Sequence, residues 1–389
     1  MTRNGVAVAD QKKIVLFAAN TYWYLYNFRL GTLKAFINDG YSVFCVASSC
    51  SQGFDEKIVE IGCRVENVFL EQKSKNIFKE SASVLSFINL LRRVRPAAVY
   101  TFTPKCNLYL SIAGRILGID VVVNIAGMGK VFVRKTWLTI VVESMYRIGL
   151  KANKRVYFQN KHDLQEFVQR RLVGEGKSFL LPGSGVDLVR FSSEPIPVTR
   201  SIRFLLCSRL ISEKGVRLYC QAASELKQKY GDSVEFFLAG LFEINPDESA
   251  ITREEVSEWE SRRAIKFLGG YSDVREAIRL VHCVVLPTYY REGTPKILLE
   301  SAAMGRVIVT TNTPGCSDVV EHAVNGFLCD KNSLSSLVEC LDKVIQLSGE
   351  SLAKMGEKGR TKMVTEYDEN IVISEYISSI KVLLGGADV

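Results

Sequence analysis

The chain has no uninterrupted apolar stretch near the ~20 residues that a membrane-spanning helix needs, so a transmembrane protein is not expected. Residues Met1 to Lys12 lack an apolar signal core, which predicts that the chain is not secreted. Its ten cysteines include no C-x-x-C pair and fall largely in strand-like runs, the pattern of reduced, buried thiols in a cytosolic protein. Histidine occurs only at His162, His282 and His322, too few for a His-built metal centre. No glycine stands between Ala18 and Leu30, the loop where a dinucleotide oxidoreductase carries G-x-G-x-x-G. That absence argues against a dehydrogenase.

What is present is ordinary in bulk and uneven in distribution. The 389 residues, 47% apolar and 24% charged, suffice for two globular domains. Residues 1–200 carry 28 Lys and Arg against 15 Asp and Glu, whereas residues 201–389 carry 22 against 27. A basic first half faces either solvent or something anionic. No nucleic-acid motif and no base-stacking platform is visible, so an anionic membrane surface is the expected partner. The expected location is the cytoplasm, peripheral on the inner face of the plasma membrane.

Apolar strand-like runs alternate with helical patterns along the chain: strands at 13–18, 41–47, 97–102 and 121–125, then again at 202–207, 234–239, 264–268, 281–287 and 307–310. Such alternation predicts βαβ units, parallel sheets and right-handed, doubly wound α/β domains. Residues 192–199, rich in Ser and Pro, have linker composition. The expected organisation is therefore a first domain over 1–192, a second over 200–366 and a final helical segment over 367–389.

Three loops carry the chemistry. Arg291-Glu292-Gly293-Thr294-Pro295-Lys296-Ile297-Leu298-Leu299-Glu300 follows a buried strand and opens a helix that Gly305 stops. Glu292 should stand on the loop and Glu300 one to two turns into the helix. The amides between them make an anion site, because a helix N-terminus attracts phosphate. Arg209 and Lys214 follow the 202–207 strand, at the end where parallel sheets bind ligands. A guanidinium fork and an ammonium together can hold a diphosphate without a metal. In the first half, Asn20 to Arg29 is crowded with aromatics, with Arg29 expected to open the helix, and the glycine-rich Asn124 to Lys130 allows close backbone approach. The aromatics either pack on neighbouring loops or line an acceptor pocket where Arg29 meets phosphate. Val131 to Leu138 mixes apolar and basic residues and reads equally as an interfacial patch or a buried helix start.

Arg209 with Lys214-Gly215, Glu292-Gly293-Thr294-Pro295 with Glu300, Gly183-Ser184-Gly185-Val186-Asp187, and Thr313-Pro314-Gly315-Cys316 together resemble family 4 of the retaining glycosyltransferases. The resemblance spans nearly the whole chain. It implies the GT-B fold, two Rossmann-like doubly wound domains facing across a cleft, with the last helix crossing back to the first domain. It also implies a UDP-sugar donor. In that likeness Arg209, Lys214 and Glu292 are catalytic: the two bases neutralise the departing diphosphate and Glu292 contacts the sugar. Glu300 meets the ribose, and the backbone around Gly293, Thr294, Ile297 and Leu298 meets sugar and phosphate. Asn27, Arg29, Gly127, Gly129 and Lys130 are the implied acceptor-binding residues. No Asp-x-Asp occurs, which fits a reaction with no metal or other cofactor.

Tyr26-Asn27-Phe28-Arg29, Gly127-Met128-Gly129, Asn245-Pro246 and Tyr367-Asp368-Glu369-Asn370 narrow the resemblance to bacterial enzymes that extend undecaprenyl-diphosphate glycans, such as the N-acetylgalactosaminyltransferases of O-antigen and N-glycan assembly. Two positions depart from the pattern. Thr294 stands where many members have Phe, and the Asn124–Lys130 loop has no His. The expected activity is transfer of a hexose or N-acetylhexosamine to a polyprenyl-diphosphate-linked saccharide in cell-surface polysaccharide synthesis. A non-catalytic sugar-nucleotide-binding or scaffold subunit and a GT-B-fold UDP-sugar epimerase are the alternatives.

Overall fold

The structure, a computed structural model, describes residues 14–48, 53–71, 76–128, 132, 137–243, 246–271 and 273–385. The chain divides into two compact units. One runs up to Ser184 and resumes at Glu369, and the other is Gly185–Asp368. The first thus ends before the Ser- and Pro-rich stretch expected to mark the boundary. The reason is burial: Val186 and Phe191 join one apolar cluster of the second unit, and Ile196 packs against another.

The first unit alternates β1 (Ile14–Ala18), α1 (Tyr22–Asn38), β2 (Ser42–Ala47), α2 (Phe54–Glu60), β3 (Arg64–Asn67), α3 (Ile77–Val94), β4 (Ala98–Thr101), α4 (Pro104–Leu117), β5 (Asp120–Ile125), α5 (Trp137–Leu150), β6 (Val156–Phe158), α6 (Lys161–Gln169) and β7 (Ser178–Leu180). Its sheet is parallel, in the order β3-β2-β1-β4-β5-β6-β7. β1, β2, β4 and β5 are almost wholly buried, as expected for strands covered on both faces. The C-terminal helix, Glu369–Leu383, packs here. Its buried Tyr376 lies edge-on to Tyr100, donates a hydrogen bond to Asn124 and accepts one from Tyr100 on its carbonyl at 3.1 Å.

The second unit continues with β8 (Ile202–Cys207), α7 (Val216–Tyr230), β9 (Val234–Ala239), α8 (Arg253–Ser261), β10 (Lys266–Phe267), α9 (Val274–Arg279), β11 (Cys283–Leu286), α10 (Lys296–Ala303), β12 (Val307–Thr311), β13 (Gly326–Cys329), α11 (Leu334–Gln346) and α12 (Gly349–Glu366). Its parallel sheet has the order β10-β9-β8-β11-β12-β13. Each sheet reverses its winding once, between β1 and β4 and between β8 and β11. The crevice outside the carboxyl ends of the strands at such a reversal is where open α/β sheets bind ligands.

Candidate active site

The loops leaving β8 and β11 meet at the reversal point of the second sheet. After β8 a single 3-10 turn, Ser212–Lys214, ends on Gly215 in the left-handed region (φ 78°). A side chain there would bring a Cβ to 2.2 Å from the Pro287 carbonyl oxygen, so only glycine lets the two loops touch. Hydrogen bonds stitch the contact: the Tyr289 and Tyr290 amides both donate to the Glu213 carbonyl, at 2.9 and 3.1 Å. The loop after β12 closes the third side. A Cβ on Gly315 (φ 83°) would fall 1.7 Å from the Gly293 carbonyl oxygen, which explains why Thr313-Pro314-Gly315-Cys316 belongs with the Glu292 loop.

This frame brings Lys214 and Glu292 together. Lys214 Nζ donates to Glu292 Oε1, and the two side chains are only 14% and 12% exposed. Thr288, fully buried, adds its hydroxyl 3.2 Å from the same carboxylate oxygen. Arg209 stands apart from this cluster. It is 60% exposed, with Nη1 3.9 Å from Glu243 Oε1, a loose surface pair of small energy.

Glu300 lies within α10, which begins at Lys296. Its carboxyl is pushed up to about 7, first by burial and then by Asp273, against the opposing charges of Lys296 and Arg190. Thr294 and Leu298 are buried. The Leu298 amide already donates to the Pro295 carbonyl at 3.1 Å, so this first-turn amide, expected to meet sugar or phosphate, is engaged.

The first unit departs further from expectation. Arg29 does not open a helix. α1 begins at Tyr22, with the Thr21 side chain capping the Tyr24 amide, and Arg29 sits mid-helix at 1% exposure. Its guanidinium stacks 4.4 Å from the Phe102 ring and 5.7 Å from that of Tyr376, and none of its nitrogens has a hydrogen-bond partner among the described residues. Asn27 bonds back to the Trp23 carbonyl at 2.9 Å along the same helix. Gly127 follows β5 with φ 110°. Gly129 and Lys130 lie outside the described residues, as do Arg134 and Lys135.

The fold matches that of known proteins. A family model described as glycosyl transferases group 1 matches residues 192–362, and one described as glycosyl transferase 4-like matches 13–160. The chain is 23% identical over 370 residues to the Campylobacter jejuni N,N'-diacetylbacillosaminyl-diphospho-undecaprenol alpha-1,3-N-acetylgalactosaminyltransferase, covering 91% of this chain and 94% of that protein. It is 22% identical to the Escherichia coli UDP-Gal:alpha-D-GlcNAc-diphosphoundecaprenol alpha-1,3-galactosyltransferase, covering 75% and 77%. A solved glycosyltransferase from Rickettsia africae superposes with a TM-score of 0.75 at 16% identity, over 96% of this chain and 99% of that one. The Anabaena protein HepE, solved with UDP and glucose, superposes with a TM-score of 0.72 at 16% identity, over 94% and 98%. These likenesses favour a transferase over the epimerase and scaffold alternatives. With a 4-like first half, a group 1 second half and two doubly wound parallel sheets, the chain belongs to the family 4 glycosyltransferases of the GT-B fold.

Proposed function

We propose that the chain moves a hexose or N-acetylhexosamine from a UDP-sugar to an undecaprenyl-diphosphate-linked saccharide, with retention at the anomeric carbon, in O-antigen or capsule synthesis. The observation that carries this reading is the half-buried Lys214–Glu292 pair at the reversal point of the second sheet. It places a cation and a sugar-gripping carboxylate in one small space. Two relatives matched over most of their length are named for acceptors of the diphospho-undecaprenol class.

Lys214, joined by Arg209, neutralises the diphosphate as its bond to the anomeric carbon breaks. Preorganised charge aimed at a developing anion is usually the largest single catalytic contribution. Glu292 holds the sugar hydroxyls and Glu300 the ribose diol. The backbone around Gly293, Thr294 and Ile297 takes the remaining sugar and phosphate contacts, and the Leu298 amide is engaged with the Pro295 carbonyl. The reaction draws on no divalent cation. A donor screen with a short-chain polyprenyl-diphosphate sugar as acceptor tests the proposal. One UDP-sugar should be consumed with a glycolipid formed, and consumption of none would refute it.

Glu300 makes the donor step depend on pH. Its carboxyl must be ionised to accept ribose hydroxyl protons, and burial pushes it up to about 7. Donor KM should therefore rise on acidification below about 7, by at most ~10-fold per pH unit. Glu300→Gln should flatten that profile at a raised KM. Because the folded-state value lies above the ordinary carboxyl value of 4.5, the group favours the fold most at acid pH. That contribution is lost as pH rises through about 7, so thermal stability should fall over the same window. A pH-independent donor KM in the wild type would refute the assignment.

The first unit supplies the membrane contact in this account. It carries 27 Lys and Arg against 16 Asp and Glu, a net +11, whereas the second carries 23 against 26. Among the described residues no helix is long and apolar enough to cross a membrane. α5 instead exposes Trp137 (73%), Ile140 (67%), Val141 and Ile148, while Thr139, Tyr146 and Leu150 are buried. Exposed apolar positions at this helical spacing form one stripe, suited to lying in a headgroup region. Phe132, expected to share this role, is buried. Arg29 is buried as well and adds no surface charge. In liposome co-sedimentation, binding should need anionic lipid and weaken with salt, as screened attraction does. Trp137→Ser with Ile140→Ser should reduce it by about 10-fold or more. Equal sedimentation of variant and wild type would contradict the docking face.

A further inference from the structure

Thr288 has no part in the reaction described above, yet it stands at its centre. It is fully buried directly after the Pro287 that touches Gly215. Its Oγ1 lies 2.9 Å from the Glu213 carbonyl and 3.2 Å from Glu292 Oε1, and it accepts the Tyr290 amide at 3.2 Å. A hydroxyl has one proton and cannot donate to both oxygens at once. The Glu213 carbonyl already accepts the Tyr289 amide at 2.9 Å, and the Tyr290 amide divides its single proton between that carbonyl at 3.1 Å and Thr288 Oγ1 at 3.2 Å. The carboxylate is the better acceptor, because bonds to a charged partner are the stronger ones.

We propose that Thr288 is the positioning residue of the donor site: its hydroxyl donates to Glu292 and holds that carboxylate against Lys214. Oε1 of Glu292 is then gripped from two sides, by an ammonium on the β8 loop and by a hydroxyl on its own loop. Rotation of the carboxylate is restricted before any ligand arrives. When Lys214 turns to the diphosphate, Thr288 remains to keep Glu292 aimed at the sugar. The kinetic consequence rests on the proposed role of Glu292 in sugar binding, whereas the contact itself does not.

The test therefore has one arm that needs no turnover. Lys214 in the full ligand-free chain is labelled with acetic anhydride and quantified by mass spectrometry. Thr288→Val matches the shape of threonine and removes the donor. It should raise Lys214 labelling by about 10-fold, the order expected for losing a hydrogen bond to a charged group, with other lysines unchanged. Thr288→Ser should keep Lys214 protected. Thr288→Ala carries the same comparison if the valine variant does not fold. In the second arm, Thr288→Val should lower kcat by about 10–100-fold while UDP affinity measured by calorimetry stays as in the wild type. Unchanged Lys214 labelling in both Thr288→Val and Thr288→Ala, or a serine variant that behaves like valine, overturns the proposal whether or not a UDP-sugar is the donor.

Discussion

Lys214→Ala should lower kcat by about 10²–10³-fold while leaving donor KM within a few-fold, the pattern of a contact that strengthens only as charge develops on the leaving group. Lys214 is paired with Glu292, so its charge is already balanced and little net attraction is left for the ground-state diphosphate. The demand comes when the glycosidic bond breaks and the diphosphate takes on further negative charge. The substitution also leaves Glu292, 12% exposed, without its cation. Stripping one partner from a buried pair is destabilising, by as much as ~3–5 kcal/mol, and here partial exposure and the Thr288 hydroxyl reduce that cost. Rates therefore need to be read on protein shown to be folded, with the double variant Lys214→Met, Glu292→Gln as the stability control. Arg209→Ala should cost less stability, since its pair with Glu243 is long and exposed, yet should also lower kcat. A near-native kcat in Lys214→Ala would remove this residue from the mechanism.

Gly215→Ala should be among the most damaging single substitutions in the second unit. The left-handed backbone at φ 78° disfavours any side chain, at about 1 kcal/mol or more. The larger effect is steric. The added Cβ meets the Pro287 carbonyl oxygen at 2.2 Å and its carbon at 2.7 Å. Both are backbone atoms in a loop tied to Glu213 by the Tyr289 and Tyr290 amides, so neither can yield without separating the β8 and β11 loops. A total loss of about 2–5 kcal/mol follows from strain and overpacking together. Lys214, the preceding residue, should move with the loop, so activity should fall along with stability. Gly269→Ala provides the comparison: it has φ 73° but nothing within 4 Å of its Cβ, and should show the strain cost alone. Equal losses at the two positions would mean that the contact with Pro287 does not matter.

Much of this architecture was readable from apolar runs. The strands at 202–207 and 234–239 coincide with β8 and β9, because a doubly covered parallel strand is a continuous apolar stretch with sharp ends. The placement of Arg209, Lys214, Glu292 and Glu300 after β8 and β11 was readable too, since they are charged residues near glycines at predictable strand ends. The Lys214–Glu292 pairing was not, because 78 residues separate the partners and only the sheet order brings them together. Thr288 gave no signal, being one hydroxyl between a proline and a tyrosine. Arg29 was misplaced for a local reason: the aromatic run Tyr22 to Phe28 suggested a loop, whereas Thr21 caps a helix whose aromatics pack against it. The Ser- and Pro-rich stretch after Phe191 suggested a boundary, but polar composition does not reveal that Val186, Phe191 and Ile196 are anchored in the apolar clusters of the second unit.

The central claim is that this chain transfers sugar from a nucleotide donor to a lipid-linked diphosphate acceptor through Lys214, Arg209 and Glu292, without a metal. The most direct measurement follows a radiolabelled UDP-sugar into a chloroform-soluble product, in the presence of excess EDTA, with wild type and Lys214→Ala side by side. The account predicts label in the organic phase with the wild type, undiminished by EDTA, and a rate lower by about 10²–10³-fold with the variant. No organic-phase label with any UDP-sugar, or label that EDTA abolishes and Mg²⁺ restores, would contradict it.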